Sequence, residues 1–233
     1  MDIQSFLTAD RQLLLLLNGS DSLFIDQLAL ILTSGWTWVL LYVSLLYIVV
    51  KNNEKAAQIL LTIFAALLCV GIASGIDNGL VKPWTGRLRP AVEPALQGLV
   101  QTVSGYKGDG FSFFSAHAAN TFALAMFFSL LVRDRALSIT LFCWALVNSW
   151  TRIYLGVHYP SDVLVGILFG SLVGLIVYWI YFRLYSRISP KLHYISTQYT
   201  RTGYSLCDID VFMTAVVATC AYVLLRTFIT ITV

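Results

Sequence analysis

Charge is scarce in this chain. Of its 233 residues only 12% are Asp, Glu, Lys or Arg, whereas 58% are hydrophobic, and the mean hydropathy is +0.77. Soluble domains run near ~25% charged, so a water-soluble domain is excluded and a membrane protein is indicated. Cysteine is sparse too. Cys69, Cys143, Cys207 and Cys220 are scattered, three of them in or beside apolar runs, and match no zinc or CxxC spacing. They read as small buried hydrophobes. Repeats, low-complexity tracts and linkers are absent. After the initial MDIQ there is no basic segment, so no cleaved signal peptide is expected. Carboxylates do not cluster as a two-metal site requires. No metal and no cofactor is expected, and a net charge of +3 gives no reason to expect a nucleic-acid partner.

What is there is length without charge. A helix needs roughly 17–25 apolar residues to cross a bilayer. Gln27–Val50, Ala56–Ile76 and Val163–Phe182 satisfy this, and Ala116–Val132, Ala136–Thr151 and Val211–Leu225 are shorter runs of the same kind. The fold class expected is all-α: a polytopic bundle of about six spans forming one domain over residues 1–233. Ile3–Leu17 is interrupted by Asp10 and Arg11, and is expected to lie along the membrane interface. Gly166, Gly170 and Gly174, like Gly71 and Gly75, read as close helix contacts rather than a substrate groove.

Alternating spans put Lys51, Lys55, Arg133, Arg135, Arg183, Arg187, Lys191 and Arg201 on one side, which should be cytoplasmic. Lys82, Arg87, Arg89, Lys107 and Arg152 fall on the other, with both termini. Loose cations are disfavoured there, so a function for them is the better explanation. The long outer segment Asn78–Ser115 holds three of the five prolines and reads as loop with short helical pieces.

Three stretches on that outer face fit together: KPWTGRLRP (Lys82–Pro90), FSAH (Phe114–His117) and TRIYLGVHYPSD (Thr151–Asp162). Pro160 suits a first helical turn. His158 then stands just before the helix, and Asp162 can reach back to fix its tautomer and leave a nitrogen lone pair for attack on phosphorus. On this pair alone, an ordinary turn histidine beside an N-terminal carboxylate is an even alternative. Ser115 suits an N-cap. The first-turn N–H groups of Ser115 and Ala116 can hold anionic oxygens, and His117 there could protonate an alkoxide. Taken alone, His117 is more ordinarily an interfacial polar residue. Lys82, Arg89 and Arg152 could clamp phosphoryl oxygens or snorkel to the headgroups. Arg87 and Lys107 have no motif role and are expected to snorkel or to contact lipid headgroups. Trp84, Trp150, Tyr106 and Tyr159 read as an aromatic belt.

These stretches resemble the signature of the type 2 phosphatidic acid phosphatases, the lipid phosphate phosphatases: KxxxxxxRP, PSGH and SRxxxxxHxxxD. Lys82 to Arg89–Pro90 matches the first in full, and Arg152, His158 and Asp162 match the third in spacing. Phe114, Ala116 and Thr151 depart from it. The resemblance implies His158 as nucleophile of a phosphohistidine, Asp162 as its orienter, His117 as acid–base, and Lys82, Arg89, Ser115 and Arg152 as phosphate ligands, without a metal. It implies a phosphatase in a bacterial inner membrane, its site facing the periplasm and its partner a phosphorylated lipid of the bilayer. Candidate substrates are lipid A, undecaprenyl diphosphate and phosphatidylglycerophosphate or phosphatidate, and FSAHAANTFA resembles the first two kinds of member. A vanadium-dependent haloperoxidase and a non-catalytic lipid-binding protein are the alternatives from other classes. Headgroup preference and oligomeric state are not legible.

Overall fold

The computed structural model describes residues 2–188 and 197–232, and the expected inner cation Lys191 lies outside them. No strand occurs among the described residues. The helices are α1 (Ile3–Leu17), α2 (Leu23–Thr33), α3 (Val39–Lys51), α4 (Ala56–Ile76), α5 (Lys82–Thr85), α6 (Ala116–Val132), α7 (Arg135–Tyr154), α8 (Pro160–Ile188) and α9 (Leu206–Thr232). By length and composition three of the described helical stretches could cross a membrane, or four if α2 and α3 count as one broken span. The figure of six is reached only by adding α6 and α7, which pack among them.

The expected first span, Gln27–Val50, is not one straight helix. It bends by 70° between α2 and α3. Ser34 is extended and Gly35–Trp38 form a 3₁₀ turn. The Thr37 hydroxyl donates to the Ile31 carbonyl at 2.5 Å, and the Trp38 indole to that of Leu32 at 2.9 Å. Side chains thus satisfy carbonyls that the break would strand in lipid. The bend also leaves Thr33 buried at the end of the bundle that holds Arg152.

α6 sits at the centre, against α4, α7 and above all α8. The glycine reading holds for one stripe and fails for the other. A Cβ on Gly166 would meet the Ser115 carbonyl at 2.7 Å, one on Gly174 that of Ala123 at 2.5 Å, and one on Gly170 would collide with the Ala119 carbonyl. Gly71 and Gly75 have nothing within 4 Å, because α4 turns Ala65, Cys69 and Ala73 inward instead. Cys69 is buried, but Cys143, Cys207 and Cys220 are exposed, contrary to their expected burial. On an apolar helix in a bilayer, a small hydrophobe is stable facing outward.

The far ends of these helices are tied at the other pole. Thr202 donates to the Val132 carbonyl, Tyr185 to Asn53, and Tyr47 and Asn52 to Asp208. α1 has the expected bounds but is more than an interfacial float. Leu14 is fully buried beside Leu96 and Tyr159, while Leu13, Leu16 and Leu17 stay exposed.

The seam makes a direct prediction. Gly170→Ala should cost roughly 1–3 kcal/mol by overpacking, whereas Gly71→Ala should be near neutral. Thermal unfolding in detergent reads both, and equal midpoints for the two variants would contradict the packing assigned to the seam.

Candidate active site

The starts of α6 and α8 and the end of α7, with the Asp77–Ser115 segment, enclose one polar cluster. α7 ends at Tyr154, and Gly156 turns the chain with φ +67. A Cβ there would press on Val100 at 2.5 Å, so glycine is needed for both space and conformation. The Val157 and His158 N–H groups both bond to the Arg152 carbonyl at 3.2 Å. Pro160 then opens α8, and Asp162 in its first turn accepts the Tyr159 N–H at 2.9 Å, as a capping box does.

His158 is buried, with two unlike neighbours on its ring. Nδ1 lies 3.6 Å from Asp162 Oδ2, just beyond hydrogen-bond length, and has no hydrogen-bond partner. Nε2 is 3.2 Å from Arg89 Nη1. Burial, and then the charges of Arg152 and Arg89, pull the imidazole from 6.5 down to about 4 against the opposing pull of Asp162. The ring is therefore neutral at pH 7. Asp162 is fully buried and also accepts hydrogen bonds from the Ser112 hydroxyl and, at 2.5 Å, from Arg87.

The three expected clamp residues are buried but differently held. Arg89 donates to the carbonyls of Asp109, Gly110 and Val157. Arg152 donates to Thr33 at 2.6 Å and to Tyr106 at 3.0 Å, and its Nε has no partner. Lys82 is ion-paired to Asp77 at 2.7 Å and bonded to Asn78 at 2.9 Å. Ser115 caps α6, and its N–H bonds to the Asp162 carbonyl at 3.1 Å, joining the starts of α6 and α8. Ala116 is the first helical residue and is not among the positive-φ residues, so its Cβ is unstrained. Phe114 is buried against Phe169 with ring centroids 4.9 Å apart. His117 is exposed at the cluster's mouth, within electrostatic reach of Arg152, His158, Lys82 and Arg89.

All eight expected site residues thus gather in one region. Two expectations are corrected. Arg87 does not snorkel but binds Asp162 and Asp10. Tyr159 is buried beneath Arg87, and Tyr106 touches Arg152, so neither is a belt residue. Trp84 does stand exposed, as a belt residue should. Asp10, Thr33, Asp77, Asn78 and Ser112 escaped the sequence reading. Only Asp10, a carboxylate interrupting an apolar run, carried a usable signal. Among the described residues no three His, Cys, Asp or Glu side chains stand close enough to hold a metal ion.

The model of the PAP2 superfamily matches residues 55–186, more than half of the chain. The chain belongs to this superfamily. It is 44% identical over 163 residues to a lipid A 4'-phosphatase of Bacteroides thetaiotaomicron, covering 69% of this chain and 72% of the relative. To that of Porphyromonas gingivalis it is 32% identical, covering 79% and 77%. The crystal structure of Aquifex aeolicus LpxE superposes with a TM-score of 0.52 at 26% identity, covering 71% of this chain and 92% of that one. This PAP2 chain is a multi-pass membrane protein.

The state of His158 can be measured directly. Its imidazole should titrate near pH 4 by NMR in detergent, and Arg89→Gln should raise that value by removing a neighbouring cation. A ring that titrates at 6.5 or above would refute the burial and charge balance described.

Proposed function

We propose that this chain removes a phosphate from a membrane lipid, foremost the 4'-phosphate monoester of lipid A, through a phosphohistidine on His158 and without a metal. The observation that carries the reading is a buried, neutral histidine with a carboxylate near one nitrogen and the Arg89 guanidinium at the other. The 44% identical lipid A 4'-phosphatase supports the choice of lipid. A cavity of about 410 Å³ supports it further. Its lining includes Thr121, Leu124 and Phe128, which share the α6 face of His117 by helical spacing, and it gives apolar room for an acyl chain.

The mechanism follows from the contacts. Arg89 Nη1 leaves His158 Nε2 for a phosphoryl oxygen, freeing the lone pair. The N–P bond forms as the P–O bond to the lipid breaks. The bound phosphate dianion offsets the cations around His117, which takes up a proton as substrate binds and gives it to the departing oxygen. Arg89 and Arg152, whose partners are neutral, hold the charge that spreads over the equatorial oxygens, with Lys82 as a third cation. The Nδ1 proton of His158 turns toward Asp162 as the ring becomes cationic. Water then attacks phosphorus, His117 takes the water's proton, and the N–P bond breaks to release inorganic phosphate.

The cations at the opposite pole support a cytoplasmic position for that end, and so a periplasmic site in a bacterial inner membrane. The whole span 1–233 acts as one domain in this reading. Undecaprenyl diphosphate and phosphatidylglycerophosphate are the competing substrates.

His158→Ala should abolish turnover, because nothing else can form the covalent intermediate. His117→Ala should cost about 10²–10⁴-fold on a lipid monoester, and less on a lipid diphosphate, whose phosphate leaving group needs less protonation. Asp162→Asn should fall between them. Vanadate should inhibit, and EDTA should not. Phosphate release from lipid A, undecaprenyl diphosphate and phosphatidylglycerophosphate by folded variants tests each point. Substantial turnover by His158→Ala, or loss with EDTA and rescue by a divalent ion, would sink the mechanism.

A further inference from the structure

Five cations were expected on the outer face, and their partners sort them. Arg89 and Arg152 rest on carbonyls and hydroxyls, so their charge is uncompensated. Lys82 shares one carboxylate. Lys107 is exposed. Arg87 alone lies between two carboxylates. Its Nη1 donates to Asp162 Oδ1 at 2.5 Å and to the Ser161 hydroxyl at 2.9 Å, and its Nη2 donates to Asp10 Oδ2 at 2.7 Å. The guanidinium stacks over the Tyr159 ring at 3.8 Å. Asp10 in turn accepts the Ser161 N–H at 2.9 Å and its hydroxyl at 2.5 Å, fastening α1 to the start of α8. Even the Arg87 backbone takes part. Its carbonyl accepts the Ser112 N–H at 2.8 Å, and the Ser112 hydroxyl bonds Asp162 Oδ2.

We infer that Arg87 and Asp10 are positioning residues: they hold the Asp162 carboxylate in its place beside His158, and α1 thereby completes the active site. The inference rests on the proposed phosphatase reading. Asp162 is fully buried, and its Oδ2 serves Ser112, Tyr159 and His158 at once. A rotation of the carboxylate would break all three contacts. Arg87 fixes the other oxygen and blocks that rotation. Both of its partnered nitrogens are committed to side chains of the relay, so it has no role in holding phosphate.

Charge gives the pair a signature that a merely structural role lacks. The ionisable groups around His158 are Arg89 from the outer segment, Arg152 from α7, Asp162 from α8 and His117 from α6. Behind them stand Arg87, Asp10 of α1, and the Lys82–Asp77 pair. Arg87→Gln removes a cation from Asp162, so the imidazole is more easily protonated and its titration moves to higher pH. Asp10→Asn leaves Arg87 wholly to Asp162 and moves it to lower pH. Arg87→Lys keeps the charge but loses the fork that spans two carboxylates, so it restores the titration and not the rate.

The experiment reads His158 by NMR titration, kcat and KM on a lipid monoester, and vanadate inhibition, for full-length wild type and these three variants. Arg87→Gln should lower kcat on the order of 10–100-fold, as losing an outer-shell partner does at metal sites. KM and vanadate inhibition should stay within about threefold. An unmoved titration with unchanged kcat would overturn the inference, as would weakened vanadate inhibition, which would make Arg87 a phosphate ligand. If Arg87→Gln fails to fold, Arg87→Lys and Asp10→Asn decide: a wild-type titration with lowered kcat in the first and a titration moved to lower pH in the second support the inference, and wild-type titration and kcat in both overturn it. A wild type inert on every lipid phosphate would defeat the phosphatase reading, and the titration shifts would still test the relay.

Discussion

The close approach of α6 to α8 is the constraint on which the rest depends. Three glycines on α8 face backbone carbonyls of α6, leaving no room for a side chain between them. In lipid, helices gain little from hydrophobic contrast, so such contact is the principal adhesion available. The seam also has a register. Ser115, which caps α6, bonds to the Asp162 carbonyl in the first turn of α8. Both helices therefore begin at the same level, and their N-terminal dipole ends point at one spot. His117 comes from one helix start, and His158 and Asp162 from the other. Shifting either helix by one turn, about 5.4 Å, would separate the two histidines' roles altogether.

Around that spot the problem is how to keep many charges in a site closed off from bulk water. An unpaired buried ion is costly, but a fully neutralised one has no charge left for a ligand. The cluster divides the task. Arg87 is neutralised by two carboxylates and is structural in its electrostatics. Arg89 and Arg152 are hydrogen-bonded to neutral oxygens, which satisfies geometry while leaving charge. The unpartnered Nε of Arg152 fits a group that awaits an anion. His158 is kept neutral first by burial and then by the same cations, because a positive field disfavours protonation. In the proposed reading, one arrangement thus prepares both an anion site and the lone pair of His158.

Most of the helix plan was legible because a bilayer imposes length and apolarity on any span. α1, α4 and α6 have the bounds that the sequence suggests. The bend between α2 and α3 was hidden, because Gln27–Val50 carries no charge and no proline. Its causes are Ser34, Gly35 and two side chains that recover carbonyls six residues back, a pattern that composition does not register. The empty Gly71 and Gly75 positions show the opposite failure. The same spacing on α4 and α8 has different meanings, since only the neighbouring helix decides whether a glycine is needed.

The site was legible wherever spacing alone joins residues, as from His158 to Asp162 across one helical turn. It was illegible where the partner comes from a distant element. Nothing in the sequence ties Asp10 to Ser161, 151 positions away, or Thr33 to Arg152, 119 away. Arg87 is the instructive case. It lies two residues from Arg89 in a glycine- and proline-marked loop, with the same formal charge. Yet Arg87 reaches Asp162 and Asp10 while Arg89 reaches His158 and the carbonyls. In an extended stretch, residues two apart project to the same side, so alternation alone cannot separate them. The separation comes from what each meets: Asp10 on α1 draws one guanidinium outward over Tyr159, and the Asp109–Gly110 carbonyls draw the other inward. The role of a cation in such a site is therefore set by the charge of its partner, which becomes visible only once the helices are assembled.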